Sequence, residues 1–428
     1  MTQHLFGWLL DIYIEKSKAI LWIKSEDGRI VRLTDKYTPS FYVESDDPAE
    51  IERLAAILSN HPNIEGVEKE RKSISLSAQR SNVAHIYADS ILGLKKVLSD
   101  LANVDGIKAV YNVDLLHVQW YVFQKGVPPT SKVYLTLNDK NELACIEAVD
   151  DSSEIPPPPF KILFFDLKVS NEIFPKANAD PISGIEVLDE NQEVLRSFVG
   201  AKKEVLPAFE RYVETEDPDF LIASKIREKL AYIVERCRSL GLNLQLGREV
   251  VDVSLLKRLF PYCHKGRVTI DLGTFLLTGI PGIVERARFA LIPPGLAAKL
   301  SAGRVVDSRQ CYQAFRRGIL IPKSAKSFDG HTRTAKETVL SNRGGLILSP
   351  KVGLHENVGA LDFESMYPQI IIKHNESYET TTPTCITTER KGFLSQLTET
   401  FLQRRLYFKH LCRRFPKDSS ERTWCEQR

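Results

Sequence analysis

The sequence is short of the features that place a protein quickly. It has no apolar run near the roughly 18 residues of a membrane-spanning helix. The N-terminal stretch Phe6-Gly7-Trp8-Leu9-Leu10 is stopped by Asp11, too short for the core of a secretory leader. There are seven cysteines, an odd number with no Cys-x-x-Cys pair, which fits a reduced cytosolic chain and speaks against a zinc module. Internal repeats and low-complexity tails are missing, and the net charge of +3 alone suggests no polyanion partner.

What is present is size and uneven charge. A chain of 428 residues is long enough for two or three domains. Residues 281–343 hold 12 Lys/Arg against 4 Asp/Glu, and residues 390–428 hold 10 against 4, so the remainder is acidic. Basic charge gathered into segments of a near-neutral protein is a nucleic-acid footprint or a pair of solvated faces.

The pattern predicts an α/β and α+β multidomain chain. Leu9–Ile14, Ala19–Ile23 and Ile30–Leu33 read as strands, the last two joined by the turn Glu26-Asp27-Gly28. Asp47-Pro48 opens a helix through Ile51, Leu54, Ala55 and Leu58, and Ser90–Leu101 repeats that spacing. Pro156-Pro157-Pro158-Pro159 marks a stiff joint. Beyond it, strands at Ile162–Phe165, Gly184–Leu188, Val194–Val199 and Phe220–Ala223 alternate with helices near Val205–Val213 and Glu228–Leu240, an α/β pattern.

The segment richest in chemistry is Gly359-Ala360-Leu361-Asp362-Phe363-Glu364-Ser365-Met366-Tyr367-Pro368-Gln369-Ile370-Ile371-Ile372. Val358–Leu361 reads as a strand delivering Asp362 to its end, and Pro368 as a helix start. A carboxylate beside a turn and a helix N-terminus suits a metal-bound phosphate, although a lone Asp before a turn is also an ordinary cap. A second segment, Phe393–Phe415, places Leu397, Phe401, Phe408, Leu411 and Phe415 in an apolar stripe, with Arg405 and Lys409 four apart on a neighbouring face.

Asp362-Phe363-Glu364-Ser365-Met366-Tyr367-Pro368-Gln369-Ile370-Ile371 closely resembles the first palm motif of family B DNA polymerases, DFxSLYPSII, and Gly7-Trp8-Leu9-Leu10-Asp11-Ile12-Tyr13 resembles the opening of archaeal members. The resemblance implies an N-terminal α+β domain (1–157), an RNase H-like exonuclease-type domain (158–312), a linker with the first part of the palm (313–391) and the first part of the fingers (392–428). It implies that Asp362 is one of two aspartates holding two Mg²⁺ ions, with the Phe363 carbonyl as a further ligand. Ser365, Met366 and Tyr367 would give backbone N–H groups to the triphosphate, and the Tyr367 ring would lie under the sugar and exclude a 2′-hydroxyl. Arg405 and Lys409 would meet the phosphates of the incoming dNTP.

The sequence also departs from the family. No Asp-Thr-Asp occurs, so the second palm aspartate and the thumb would come from a C-terminal polymerase chain, as in members encoded as two polypeptides, a truncated gene or a fragment being equally compatible. Phe164-Phe165-Asp166-Leu167-Lys168 resembles the first proofreading motif with Lys168 in place of its Glu. Lys225 and Leu230 stand where the second motif has Asn and Asp, and no Asp lies between Asp271 and Asp307 for the third. These losses imply a degenerate exonuclease. The linker motif Tyr-x-Gly-Gly reads Asn342-Arg343-Gly344-Gly345. Cys263-His264 lacks a second pair at ligand spacing and reads as packing, and His374 reads as a helix end. The expected partners are primer-template DNA, dNTP and the completing chain, with no membrane, in the cytoplasm near the nucleoid. The rival reading is a non-catalytic DNA-binding or regulatory remnant, with an active nuclease a distant third.

Overall fold

The computed structural model describes residues 3–428 except 48–49, 77–79, 102–103, 139–141, 150–157, 172–175, 178, 201–202, 244, 250–263, 324–333, 342–347 and 383–384. The chain divides into a larger unit, residues 1–321 with 403–428, and a smaller one, residues 322–402. Asn342-Arg343-Gly344-Gly345, Pro156-Pro157 and Cys263 lie outside the described residues.

The larger unit opens on β1 (Gln3–Glu15), β2 (Lys18–Ser25) and β3 (Ile30–Lys36). The predicted turn forms, with Gly28 at φ +87° donating its N–H to the Ser25 carbonyl. A β-α-β-β-α-β run comes next: β4 (Ser40–Ser45), α1 (Ile51–Ser59), β5 (Ile64–Ser73), β6 (Arg80–Ala88), α2 (Ile91–Asp100) and β7 (Ile107–Tyr111), with strand order β5-β6-β4-β7. Alternation on β4 explains its two faces. Phe41 and Val43 pack under Ile51, Leu54, Leu58, Leu94 and Val97 of the helices, while Tyr42 joins the core beneath the first sheet. Next, α3 (His117–Lys125), β8 (Lys132–Leu137) and β9 (Leu143–Ala148) complete that sheet in the order β3-β2-β1-β8-β9.

A third sheet has the order β12-β11-β10-β13-β14 and comprises β10 (Ile162–Val169), β11 (Ile182–Leu188), β12 (Val194–Val199), β13 (Phe220–Ala223) and β14 (Val268–Asp271). Strands β10, β13 and β14 run parallel, and β11 is antiparallel to β10. The crossover helices α4 (Val205–Glu216) and α5 (Ile226–Leu240) cover one face with Phe209, Val213, Leu230 and Ile233. The other face packs on α6 (Leu272–Ala290) and on Leu10, Ile20 and Trp22 of the first sheet. Helix α6 is kinked at Gly279, whose φ 59° and ψ 177° only glycine tolerates, and Pro281 lies two residues on. The short α7 (Pro294–Ala297) and α8 (Ala302–Arg316) end this stretch.

A buried chain of charges ties the first and third sheets together. Lys24 Nζ lies 2.9 Å from Asp219 Oδ2, with their side chains 3% and 0% exposed. Arg248 reaches Asp219 Oδ1 at 2.7 Å and Asp217 Oδ1 at 2.8 Å, Arg267 reaches Asp217 Oδ1 at 2.7 Å, and the Lys161 N–H donates to Asp219 Oδ2 at 2.8 Å. Both oxygens of Asp219 are answered by donors, which is what makes a carboxylate tolerable there.

The smaller unit carries α9 (Ala335–Ser341), α10 (Met366–Lys373) and the first half of α11 (Phe393–Cys412). The larger unit resumes with the rest of α11 and with α12 (Ser420–Gln427), whose Trp424 is buried beside Ile280, Ile283 and Val284 of α6.

Candidate functional site

In the smaller unit, Val358–Leu361 does not form the expected strand. Residues 348–363 are exposed throughout, with Val352, Leu354, Val358 and Leu361 largely in solvent, and no partner strand pairs with them among the described residues. A strand exists only while a neighbour takes its N–H and C=O groups, so apolar alternation alone does not make one. Asp362 and Phe363 therefore sit in exposed irregular chain.

Ser365 adopts φ 54°, ψ 49° and caps α10, which begins at Met366, two residues before the expected start. Pro368 falls in the first turn, where its missing N–H breaks no helical bond. The Met366 and Tyr367 amides likewise have no carbonyl one turn earlier, and the first ladder bond runs from the Gln369 N–H to the Ser365 carbonyl at 3.0 Å. Asp362 and Phe363 thus lie in exposed irregular chain just before the Glu364–Ser365 turn, and Met366 and Tyr367 are the first residues of α10, with Tyr367 67% exposed. A carboxylate and a peptide carbonyl shortly before first-turn amides are the group types that suit a metal-bound polyphosphate.

His374 is the C-cap of α10, as expected. Sequence reasoning missed the polar loop that joins α10 to α11. Asn375, buried at φ 57°, donates through Nδ2 to the carbonyls of Thr387 (2.9 Å) and Arg390 (2.8 Å) and accepts from the Gly392 N–H at 2.7 Å. Ser377 Oγ accepts from the Leu394 N–H at 2.9 Å and Glu379 Oε1 from the Phe393 N–H at 2.6 Å, satisfying the first turn of α11. The signal available was the polar run Asn-x-Ser-x-Glu-Thr straight after an apolar helix.

Arg405 and Lys409 lie one turn apart on exposed positions of α11, in the larger unit. The apolar stripe differs from expectation. Leu397 and Phe408 are buried, but Phe401 is 46% exposed, Leu402 is buried in its stead, and Phe415 lies beyond the helix end at Cys412. The buried side of the helix thus runs along Phe393, Leu397, Leu402, Phe408 and Cys412.

Around Asp166 the third sheet presents ammonium groups beside carboxylates. Asp166 on β10 stands opposite Glu186 on β11. Lys168 Nζ lies 3.6 Å from Asp166 and 3.4 Å from Glu186. Lys229 pairs with Asp166 and donates to Ser224 Oγ at 2.7 Å. Burial works against ionising Asp166, yet the Lys229 hydrogen bond and the nearby ammonium charges hold its carboxyl below the usual range. The Glu186 charge does most to raise the pKa of the Lys168 ammonium, burial opposes it, and Asp166 adds a lesser upward push. Lys225 is exposed at the N-cap of α5, and Leu230 is fully buried core. Among the described residues, side chains grouped closely enough for a metal occur at Glu68, Glu70 and His85, on β5 and β6, and not here.

A cavity of about 420 Å³ elsewhere in the larger unit is lined by Asp11, His117, His264, Thr269 and Lys299. His264 is buried and its Nδ1 bonds the Arg267 carbonyl at 2.8 Å, a packing role. Burial pushes Asp11 up to about 7 from 3.8, opposed by the Ile12 N–H and Lys299, and pushes His264 down to about 4 from 6.5. Folded Asp11 keeps its proton longer than the unfolded chain does, so its contribution is complete at low pH and lost as pH climbs to about 7. Folded His264 is neutral where the unfolded chain is charged, so its contribution is complete above pH 6.5 and lost as pH falls to about 4. The two slopes oppose each other across that window. Asp11→Asn removes the first, and the variant is expected to gain about 2 kcal/mol over wild type at about pH 8 and to lose stability on acidification from 6.5 to 4, where wild type stays flat. Urea unfolding at a series of pH values reads both; parallel profiles would contradict this.

Residues 312–389 match the family model described as DNA polymerase family B. DNA polymerase 2 of Aeropyrum pernix is 23% identical over 98% of this chain and 64% of its own length. DNA polymerase 2 of Saccharolobus solfataricus is 37% identical over 23% of the chain and 16% of its own, and the DNA polymerase of Archaeoglobus fulgidus is 20% identical over 87% and 54%. The solved structure of the family B DNA polymerase from Pyrobaculum calidifontis has the same fold, with a TM-score of 0.76 at 19% identity over 99% of this chain and 66% of that one. The chain therefore spans less than two thirds of the curated relatives it matches. Among the described residues no helix is long and apolar enough to cross a membrane.

Proposed function

Kinship with the archaeal family B DNA polymerases is the premise from which we propose that this chain is the N-terminal portion of a DNA-directed DNA polymerase, which transfers a nucleotidyl group from dNTP to a primer 3′-hydroxyl on a DNA template with release of pyrophosphate. In this reading residues 1–157 are the N-terminal domain, 158–312 an exonuclease-like scaffold, 313–391 the linker and first palm segment, and 392–428 the start of the fingers. The observation that carries it is the exposed segment 362–367, in which a carboxylate and a peptide carbonyl precede the first-turn amides of α10, inside the stretch that matches the family model.

Asp362 and the Phe363 carbonyl are oxygen donors of the kind Mg²⁺ takes, but one carboxylate is half of a two-metal set, and Asp-Thr-Asp is absent from the sequence. When bound, Mg²⁺ would lower the charge penalty of the attacking and leaving oxygens. The chain's own residues do the rest. Met366 and Tyr367 amides orient the triphosphate, Tyr367 occupies the space a 2′-hydroxyl needs, and Arg405 and Lys409 neutralise phosphate charge. The second aspartate and the thumb come from a longer polypeptide or a partner chain.

The third-sheet site is proposed to be inactive as a nuclease. Lys168 and Lys229 place positive charge where a metal would have to bind, and Leu230 offers no ligand. Two assays test these readings. The 428-residue chain alone is expected to extend no primer and to release no nucleotide from single-stranded DNA with Mg²⁺. Adding a C-terminal chain that bears Asp-Thr-Asp is expected to restore extension only. Digestion that disappears on Asp166→Ala would overturn the scaffold reading, and a complemented pair that binds DNA yet never extends would favour the non-catalytic remnant.

A further inference from the structure

We infer that Glu285, on the second half of α6, is a positioning residue for the cationic face of α11; this rests on the reading of Arg405 and Lys409 as triphosphate-binding. Glu285 lies between two guanidinium groups and accepts from both. Arg404 Nε bonds its Oε1 and Arg404 Nη2 its Oε2 at 3.0 Å, a two-point fork. Arg428 adds Nε at 2.8 Å and Nη2 at 2.6 Å, both on Oε2, with its side chain wholly buried. Burial alone would discourage the charge on Glu285, but the two guanidiniums hold its carboxyl below the ordinary range.

The clasp is packed as well as charged. Both guanidiniums lie over the Phe408 ring, Arg404 at 4.9 Å and Arg428 at 4.2 Å from its centre, and Phe408 is 1% exposed. Helix α12 is seated against the kink of α6, where a Cβ on Gly279 would fall 2.0 Å from Gln427 Oε1 and one on Gly282 would fall 2.7 Å from the Gln427 carbonyl oxygen. Only glycine leaves room for that approach.

The consequence lies in the neighbour relation along α11. Successive residues of a helix are about 100° apart, so committing Arg404 to a fixed carboxylate on α6 sets the roll of the helix about its own axis. With Arg404 drawn inward, Arg405 and Lys409 face the solvent side together. A fork with two bonds resists that roll where a single contact would not. Glu285 thus acts on the triphosphate site through Arg404, without touching the nucleotide.

The test is equilibrium binding of a fluorescent dATP analogue with Mg²⁺ to the 428-residue chain, at a temperature where circular dichroism shows each variant folded. Glu285→Ala is expected to weaken binding about 10-fold and Glu285→Gln, which keeps one acceptor oxygen, less. The charge-swapped double variant Glu285→Arg/Arg404→Glu is expected to recover most of the loss, which a general loss of stability would not. Unchanged affinity in folded Glu285→Ala and Glu285→Gln, with Arg405→Ala/Lys409→Ala binding weakly, would overturn the positioning role alone. Unchanged affinity in Arg405→Ala/Lys409→Ala would overturn that role together with the reading of α11. Should Glu285→Ala not fold, Glu285→Gln and the swapped pair decide.

Discussion

On the proposed polymerase reading, Asp362→Ala in this chain, complemented by a C-terminal chain that bears Asp-Thr-Asp, is expected to cut primer extension by about 10³-fold or more while leaving DNA binding within a few-fold. A carboxylate that anchors a catalytic metal accounts for several kcal/mol of transition-state stabilisation, and each 1.36 kcal/mol is about tenfold in rate. Nothing in the local packing should confuse the result, because Asp362 lies in exposed irregular chain and supports no core. Circular dichroism and thermal unfolding should match wild type. Extension within tenfold of wild type would remove Asp362 from the site and with it the proposed role of the segment.

The largest stability effect is expected at Asp219. Its carboxylate is fully buried between Lys24 and Arg248, and Lys24 is itself 2% exposed. Asp219→Ala leaves an ammonium and part of a guanidinium without counter-charge in a region that water does not reach, and orphaning one partner of a buried pair costs about 3–5 kcal/mol. Urea unfolding should show that loss. Replacing both partners, Lys24→Met with Asp219→Ala, should recover part of it by removing the orphaned ammonium. A loss under about 1 kcal/mol in the single variant would mean that the Lys24–Asp219–Arg248 chain is screened by water after all.

How much of the molecule is readable in its sequence depends on distance along the chain. Helices α1 and α2 were legible because their buried residues recur at steps of three and four, and the segment 362–368 stood out because its chemistry-bearing residues are contiguous. The clasp on Glu285 draws on residues 119 and 143 positions away, and the Lys24–Asp219 pair spans 195, so no local pattern announces them. Glu186 became visible as a partner of Asp166 only through the register of β10 and β11. The failure at Val358–Leu361 has another cause. Alternation reports a residue's fitness for a sheet but not whether a neighbouring strand is there to receive it. At Phe401 the period was right and the phase wrong, since Leu402 next to it is the residue that turned inward.

The ammonium groups around Asp166 have a bearing on how that edge of the sheet responds to its surroundings. A cluster of carboxylates that relies on a dissolved ion repels itself whenever the ion is scarce, and its shape then tracks the ionic content of the medium. Lys168 and Lys229 are part of the chain and cannot be diluted away, exchanged or chelated; the backbone fixes their local concentration near Asp166 and Glu186. The charge balance there is written into the polypeptide and is in place as soon as β10, β11 and α5 have folded.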